Sequence, residues 1–405
     1  MKTKNQLLTG LTLAATLLLT ASSCNKMNEV EPELHAATHS AREAGFGDIG
    51  VPVFDGAKFS NSIETYMNGK AAGYGYTVFH DGKYVSGGGG GWSRKSFESN
   101  PTKHSDQQRQ DIASSSKFVT ALATVALLEK YNISLTTPVY YYLPVTWKPS
   151  TEFKKITFER LLAHQTGLIN YKTGWPGWKK TVEELNVDSN VRAYNNVHYS
   201  LMAVILAYID VKKNNVFTTQ QLASLESKNN NWYDDGSIGM RFRSLVRLNV
   251  FKAAGLQYWN VIDYTSWNNN GIISPSQGTM GYPSVYGNEP GVAKTDLRIN
   301  GGSGGLYIST SEFGRIQDAA AHGKIVSDTN YEIMKTKRLG FDGVVSGARG
   351  KYYFKNGGAN NNETMIFDMG RTQICVFANS PQSDISSDAT IIANAYDKAW
   401  VAPSK

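Results

Sequence analysis

The chain has 405 residues and a net charge of +7, and its basic residues form no dense run. This distribution gives little support for nucleic-acid binding. Its two cysteines, Cys24 and Cys375, build no disulfide framework, and no histidine pair has metal-site spacing. We therefore expect no cofactor and no metal. Cys375 stands in an apolar run, which predicts a buried, inert thiol.

The first 23 residues are interpreted as a targeting segment. Lys2 and Lys4 precede an apolar stretch, Leu7 to Leu19, that is too short to span a membrane. Small residues then lead to Cys24, an order that resembles a bacterial lipoprotein signal. An ordinary secretory signal is the alternative. We expect a lipid anchor on Cys24 and a bacterial cell-envelope location, on the periplasmic side or at the cell surface.

Two hairpins are predicted, one near each end of the folded part of the chain. The first turns at Asp81-Gly82 and the second at Asp368-Met369-Gly370, each between strand-like segments. Five consecutive glycines, Gly87 to Gly91, follow the first hairpin. They lack the pattern of a phosphate-binding loop and predict a bulge or bend at a strand end.

Apolar residues at helical spacing predict helices between the hairpins. The clearest are 118–128, Tyr199–Ile209 and Met240–Ala254, and another runs from Ser387 to Trp400. The stretch from Tyr258 to Asn300 is rich in Asn, Gly and aromatic residues and has little periodicity. Such a long loop is interpreted either as a wall over a cleft or as a mobile surface loop.

This order of elements predicts an α/β (α+β) fold. An antiparallel sheet from both chain ends is flanked by helices, and a mainly helical lobe is inserted between its halves. The predicted boundaries are a signal peptide, a polar tether, an α/β lobe in two pieces and a helical lobe: 1–23, 24–50, 51–115 with 295–402, and 116–294.

Ser114 and Lys117 stand one helical turn apart where the first long helix begins. Residues i and i+3 lie on one face of a helix, so these two side chains can meet. A serine hydroxyl needs a group that takes its proton, and a desolvated lysine can help. A serine-rich helix cap is the alternative. Ser115 and Ser116 are interpreted as filler at the helix start.

The chain resembles the penicillin-recognising serine hydrolases, a family that includes class C β-lactamases, D-alanyl-D-alanine peptidases and related esterases. The likeness runs from about Gly73 to Trp400. It is carried by the order of five segments: Ser114-Ser115-Ser116-Lys117, Leu161-Leu162-Ala163-His164-Gln165-Thr166-Gly167-Leu168, Tyr194-Asn195-Asn196, Gly304-Gly305-Leu306 and Lys355-Asn356-Gly357. A literal Lys172-Thr173-Gly174 is set aside, because it precedes Tyr194 and runs into Trp175-Pro176.

The resemblance implies that Ser114 forms an acyl-enzyme with a small-molecule or peptide substrate, and that water hydrolyses it. Tyr194, alone or paired with Lys117, would take the serine proton. The ammonium groups of Lys117 and Lys355 would stabilise the Tyr194 anion, and Asn196 would hold Lys117. Whether Tyr194 or Lys117 is the base stays open at this point.

The resemblance also implies an oxyanion hole made by the backbone N–H groups of Ser114 and Gly358, with Asn356 and Gly357 in contact with substrate. Asn356 stands where the family commonly has Thr or Ser, whose hydroxyl often contacts a substrate carboxylate. This departure favours an ester or a less charged amide over a β-lactam or D-Ala peptide. The family's histidine at His164 is more often structural, so it is left out of the site.

Two other functions stay open. Gly301-Gly302-Ser303-Gly304-Gly305 reads Gly-x-Ser-x-Gly, which would make Ser303 the nucleophile of an α/β-hydrolase. Such an elbow needs a buried strand before it and a helix directly after it, and only His322 follows to complete a triad. The other alternative is a non-catalytic binding or sensor module on the same scaffold. The presence of all the chemical groups favours an enzyme.

Overall fold

The computed structural model describes residues 51–169, 174–228, 230–233, 237–299 and 301–402. The predicted signal peptide and tether, with Cys24, therefore lie outside the described residues, as do Lys172 and Thr173. Within the described ranges, no helix has the length and apolarity needed to cross a membrane.

Strands from both ends of the chain build the centre of the fold. In chain order they are β1 (Val53–Phe54), β2 (Gly73–His80), β3 (Lys83–Arg94), β4 (Thr102–Lys103), β5 (Gln110–Asp111), β6 (Trp267–Asn268), β7 (Gly271–Ile272), β8 (Tyr307–Ile308), β9 (Gly343–Gly347), β10 (Gly350–Ala359), β11 (Asn362–Asp368), β12 (Thr372–Ala378) and β13 (Trp400–Val401). Seven of them form an antiparallel sheet in the order β4-β3-β2-β12-β11-β10-β9. The predicted sheet from both chain ends is confirmed.

Both predicted hairpins are present in this sheet. Strands β2 and β3 meet at Asp81 and Gly82, whose φ angles of 50° and 73° are those of a tight two-residue hairpin turn. Strands β11 and β12 pair across Met369 to Arg371, with Asp368 opposite Gln373. The β2–β12 pairing then joins the two hairpins. Through this pairing, the N-terminal and C-terminal strands of the domain form one continuous sheet.

Helices cover the sheet, and most of them lie in the chain between its N-terminal and C-terminal groups of strands. They are α1 (Gly56–Met67), α2 (Ser116–Lys130), α3 (Phe158–Leu162), α4 (Trp175–Glu183), α5 (Asn196–Lys213), α6 (Thr219–Ser227), α7 (Asn230–Tyr233), α8 (Ile238–Val246), α9 (Thr310–Ala321), α10 (Asp328–Thr336) and α11 (Thr390–Lys398). Helix α8 continues into a π-helical turn, Arg247–Phe251, and the chain reverses at Gly255, where φ is 70°.

The two faces of the sheet belong to two separate cores. Because side chains alternate along a strand, Ile374 and Val376 of β12 pack with α1 and α11, while Cys375 and Phe377 pack on the opposite face with α9. Cys375 is fully buried, and burial raises the pKa of its thiol well above the ordinary value. The prediction of a buried thiol at Cys375 is confirmed.

Helices α2 and α5 are buried on nearly every side and contact each other. A helix that is apolar all round is stable only inside a core. Lys117 in the first turn of α2 and Asn196 at the start of α5 come together. This placement sets the position of the candidate site.

The glycine run Gly87 to Gly91 does not mark the predicted bulge or bend at a strand end. Gly87 to Gly91 lie inside β3 and pair with β2, whereas the register shift between these strands falls at Val78/Phe79. Gly89 pairs with Gly75, and the backbone of Ser105 crosses the sheet there. A Cβ on Gly75 would lie 2.5 Å from the Ser105 carbonyl oxygen, and one on Gly89 would lie 2.7 Å from Ser105 Cα. Close backbone approach therefore requires these two glycines.

The long segment from Tyr258 onward is partly packed into the protein. Trp267 and Tyr282 are buried. The Trp267 indole donates to the Tyr307 carbonyl oxygen, and the Tyr282 hydroxyl accepts a hydrogen bond from the Lys95 backbone N–H. Tyr286 is exposed. The buried rings of Trp267 and Tyr282 contribute to internal packing, so they offer no free surface to a cleft.

We expect Gly75→Ala to lower the free energy of unfolding by about 1–3 kcal/mol, the usual range for overpacking, because the rigid Ser105 backbone cannot move aside. Gly90→Ala is the matched control, since its Cβ would approach only the Tyr74 side chain, at 3.0 Å. Chemical denaturation of both variants measures the difference. Equal stability of Gly75→Ala and wild type would contradict the proposed close approach.

Candidate active site

The residue before Ser114 has a strained backbone. A 3₁₀ turn, Ala113–Ser115, precedes α2, and Ala113 has a φ of 45°, which is uncommon for a residue with a side chain. The Asp111 carboxylate accepts a hydrogen bond of 2.8 Å from the Ala113 N–H, and its other oxygen lies 3.4 Å from the buried Lys294 ammonium. These contacts hold the turn that presents Ser114.

Ser115 and Ser116 are not filler, so that interpretation is wrong. Both are fully buried. The Ser115 hydroxyl lies 2.8 Å from the Thr364 hydroxyl of β11. The Ser116 hydroxyl donates to the Ala113 carbonyl oxygen at 2.6 Å and accepts from the Leu306 N–H at 3.0 Å. The two serines therefore connect the Ser114 turn to the sheet on one side and to the segment before β8 on the other.

The structure brings Ser114, Lys117 and Tyr194 together as the sequence predicts. Ser114 Oγ lies 3.0 Å from Lys117 Nζ and accepts a hydrogen bond of 2.8 Å from the Tyr194 hydroxyl. Lys117 Nζ also donates to Asn196 Oδ1 at 2.8 Å and to the Ser303 carbonyl oxygen at 2.5 Å. The buried amine of Lys117 is therefore surrounded by polar groups from three separate segments of the chain.

The charge environment of Lys117 favours its neutral form. Its side chain is fully buried, and burial lowers its pKa well below the ordinary lysine value. The positive charge of Lys355 lowers the pKa further, while the Asp342 carboxylate acts in the opposite direction. The hydrogen bonds of Lys117 to Ser114, Asn196 and Ser303 all involve neutral oxygen atoms, which do not offset the cost of burying a charge as a carboxylate would.

Tyr194 differs from the sequence expectation. The ammonium groups of Lys117 and Lys355 lie 4.9 Å and 5.5 Å from its ring centre. Its pKa is nevertheless raised to about 12, chiefly because its phenol is desolvated, although the residue as a whole is half-exposed. The hydrogen bond with Ser114 lowers the pKa of Tyr194, but by less than desolvation raises it. The expected stabilisation of a Tyr194 anion by two lysines is therefore wrong.

His164 contacts the segment that carries Tyr194. Its Nδ1 accepts a hydrogen bond from the Asn195 N–H at 3.3 Å and lies 2.7 Å from His198 Nδ1, and its ring packs on the Tyr194 ring. Burial lowers the pKa of both histidines, that of His198 to about 4, so both rings are neutral. Contacts of this kind position Tyr194 without bringing His164 to Ser114.

Lys355 is buried on β10 and has a partner that the sequence motifs do not reveal. Its ammonium lies 2.6 Å from Asp342 Oδ2 and 2.5 Å from the Asn356 carbonyl oxygen. Burial lowers the pKa of Lys355, and Asp342 opposes that change. No motif marks Asp342, which stands alone just before β9. Only the β9–β10 pairing, with Gly343 opposite Phe354, brings it beside Lys355.

The strand after Lys355 lies close to Ser114. A Cβ on Gly357 would lie 2.9 Å from the Ser114 backbone nitrogen, so glycine is required there. The Asn356 N–H donates to Asp342 at the edge of β10 that faces away from β11. Alternate N–H groups of a strand point to the same edge, so the Gly358 N–H faces this edge too. The Asn356 side chain donates to the Ser386 carbonyl oxygen at 2.5 Å.

The Gly-x-Ser-x-Gly segment does not form a nucleophile elbow. Gly301–Ser303 is a 3₁₀ turn that continues into strand β8, with no helix directly after Ser303. The carbonyl of Ser303 instead accepts a hydrogen bond from Lys117. Across the described ranges, no cluster of three or more His, Cys, Asp or Glu side chains could hold a metal ion.

Comparison with known proteins identifies the family and the fold of the chain. A family model described as Beta-lactamase matches residues 59–393, and no curated protein sequence matches the chain. A β-lactamase/D-alanine carboxypeptidase from Yersinia pestis is similar in structure, with 16% identity and a TM-score of 0.61 over 85% of this chain and 99% of that one.

Two further solved structures share the fold. FmtA from Staphylococcus aureus has 17% identity and a TM-score of 0.59 over 88% of this chain and 91% of that one. A D-stereospecific amidohydrolase from Streptomyces sp. has 16% identity and a TM-score of 0.57 over 84% of this chain and 98% of that one. At these identities the likeness shows the fold, whereas the family match spans nearly all of the described domain. The chain belongs to the β-lactamase family.

Proposed function

We propose that this protein hydrolyses a carboxylic ester or amide through an acyl-enzyme on Ser114. The observation that carries the proposal is the position of Ser114 Oγ between the Tyr194 hydroxyl, at 2.8 Å, and Lys117 Nζ, at 3.0 Å. A serine becomes a nucleophile when a neighbouring base takes its proton during attack. Membership of the β-lactamase family supports a hydrolase on this fold.

Lys117 is the group we assign as the base. A neutral amine has two N–H groups and one lone pair. The side-chain oxygen of Asn196 and the carbonyl of Ser303 accept both N–H groups, so the lone pair faces the third neighbour, Ser114 Oγ. The lowered pKa of Lys117 supports this neutral state, and the raised pKa of Tyr194 keeps its phenol protonated. Tyr194 then donates to Ser114 while Ser114 donates to Lys117.

The proposed reaction proceeds in two stages. Ser114 Oγ forms a bond with the carbonyl carbon, its proton passes to Lys117, and the carbonyl π electrons move to the oxygen. The N–H groups of Ser114 and Gly358 are the proposed donors to that oxyanion. Collapse breaks the bond to the leaving group, which takes a proton from Tyr194, and Lys117 reprotonates Tyr194. Water then attacks the acyl carbon with Lys117 again as base, the bond to Ser114 Oγ breaks, and Lys117 returns the proton to Ser114.

Active-site labelling tests the nucleophile. We expect incubation with a fluorophosphonate or a short aryl ester to add one adduct at Ser114, seen by intact-protein mass spectrometry and peptide mapping. Ser114→Ala loses the adduct, while Ser303→Ala keeps it, because the contact of Ser303 with Lys117 uses its backbone carbonyl. An adduct on Ser303 would contradict the proposal. A wild-type protein that forms no adduct would favour a non-catalytic binding or sensor module.

The pH dependence of acylation tests the base. A base acts when deprotonated, so kcat/KM rises with pH through the pKa of the base and is constant above it. With Lys117 as base, the plateau begins below the ordinary lysine pKa of 10.5, because burial lowers the pKa. With Tyr194 as base, the rise continues towards about pH 12. Aryl-ester kinetics from about pH 5 to about pH 10 measure this rising limb of the pH profile of kcat/KM.

Tyr194→Phe is the matched variant for this measurement. We expect it to lower kcat/KM for an alkyl ester or amide, whose leaving group must be protonated, by about 10²–10⁴-fold, since it removes the proposed donor to the leaving group. The pH at which the plateau begins should stay where it is in wild type, because Lys117 is retained. A limb that disappears in Tyr194→Phe would assign the base to Tyr194 instead.

We also propose that the enzyme is held in the bacterial cell envelope by a lipid on Cys24, which lies outside the described residues. The support is the sequence order of basic residues, apolar stretch and small residues before this cysteine. We expect wild-type protein in the detergent-soluble membrane fraction and Cys24→Ser protein in the aqueous fraction, with the folded domain unchanged. Membrane association that survives in Cys24→Ser would contradict an anchor at this residue.

A further inference from the structure

The charge of Lys355 is already neutralised within the protein. The Lys355 side chain is 1% exposed, and its ammonium lies 2.6 Å from Asp342 Oδ2. The Asp342 backbone N–H donates to the Phe354 carbonyl oxygen at 2.8 Å, which fixes the carboxylate at the start of β9. A buried ammonium without a partner would attract an anion strongly, and Asp342 removes that attraction.

The backbone N–H and one side-chain N–H of Asn356 on β10 are also occupied. Asp342 Oδ2 accepts the Asn356 backbone N–H at 3.1 Å, and the Ser386 carbonyl oxygen accepts the Asn356 side-chain amide. Residue 356 therefore offers a substrate carboxylate neither a free backbone N–H nor a hydroxyl. The Gly358 N–H faces the same edge of the strand, but it is assigned to the proposed oxyanion hole.

The other charged groups near Lys355 and Asn356 do not provide a free positive charge for a substrate carboxylate. Arg192 lies 3.9 Å from Asp342 Oδ1, and its guanidinium donates to the carbonyl oxygens of Ala163 and Phe341. Glu363 lies on the face of β11 opposite to that of Thr364, the residue that contacts Ser115, and its carboxylate accepts hydrogen bonds from the hydroxyls of Ser383 and Ser386. A substrate anion beside Lys355 would approach the carboxylate of Asp342.

We propose that Asp342 is a specificity-determining residue, which excludes substrates whose leaving group carries a carboxylate. The leaving-group side is assigned because Lys355 lies 5.5 Å from the ring centre of Tyr194, the proposed donor to the leaving atom. The substrate class is then an ester or amide with an uncharged leaving group. This inference rests on the proposed acyl-enzyme function of Ser114.

Two esters with the same acyl group separate leaving-group recognition from later steps. Phenyl phenylacetate and 3-carboxyphenyl phenylacetate give the same acyl-enzyme, so only acylation, measured as kcat/KM, reports the carboxylate. We expect wild type to favour the neutral ester. Asp342→Asn keeps the shape of the side chain and leaves Lys355 without a carboxylate partner, a place that a substrate carboxylate can then take, so the ratio of kcat/KM values should shift towards the carboxylate ester by about tenfold or more at low salt.

Asp81→Asn is the control, because it also removes a carboxylate paired with a basic side chain but lies in the turn between β2 and β3, beside Arg371. Its ratio should equal that of wild type. An active Asp342→Asn enzyme with an unchanged ratio would overturn the proposal. So would a wild-type enzyme that prefers the carboxylate ester, a result that needs no variant to fold.

Mass spectrometry separates failure of this inference from failure of the proposed function. If neither ester acylates Ser114 in wild type, the proposed function is wrong and the specificity proposal falls with it. If both esters acylate Ser114 and the ratio does not respond to Asp342→Asn, only the role of Asp342 is wrong. A shifted ratio with the same Ser114 adduct supports both.

Discussion

The close approach of β10 to the Ser114 turn is the constraint on which the site depends. At Gly357 the strand comes so near the Ser114 backbone nitrogen that no side chain fits between them. The turn is held there by polar contacts of Ser115 and Ser116 and by the unusual backbone of Ala113. Strain of this kind persists only where surrounding contacts determine the conformation. Here the sheet, the β8 segment and Asp111 provide those contacts.

Two buried lysines share the site but are treated differently by the protein. Removing an ammonium group from water disfavours its charged form unless a carboxylate compensates. Lys355 has that compensation from Asp342, and Lys117 hydrogen-bonds to neutral oxygens of Ser114, Asn196 and Ser303. The same desolvation therefore gives one lysine that is kept as a paired charge and one that is suited to accept a proton.

Local patterns in the sequence predicted the parts of the structure that local physics decides. Asp81-Gly82 specifies a tight turn, and the spacing of Ser114 and Lys117 specifies one helix face, so both the hairpin and the pair were predicted. The role of Gly87 to Gly91 was missed because it depends on the distant Ser105 backbone. Asp342 was missed for the same reason, since the register of β9 on β10 brings it to Lys355.

Substrate selection and base strength are linked through these charges. Lys355 lowers the pKa of Lys117, and Asp342 raises it, so the pair that neutralises the leaving-group side also adjusts the proposed base. Without Asp342, a Lys355 that kept its charge would make Lys117 easier to deprotonate and would at the same time attract an anionic leaving group. With Asp342 present, both effects are reduced together. One carboxylate therefore influences both the chemistry at Ser114, through its charge on Lys117, and the charge of the accepted substrate, through its pairing with Lys355.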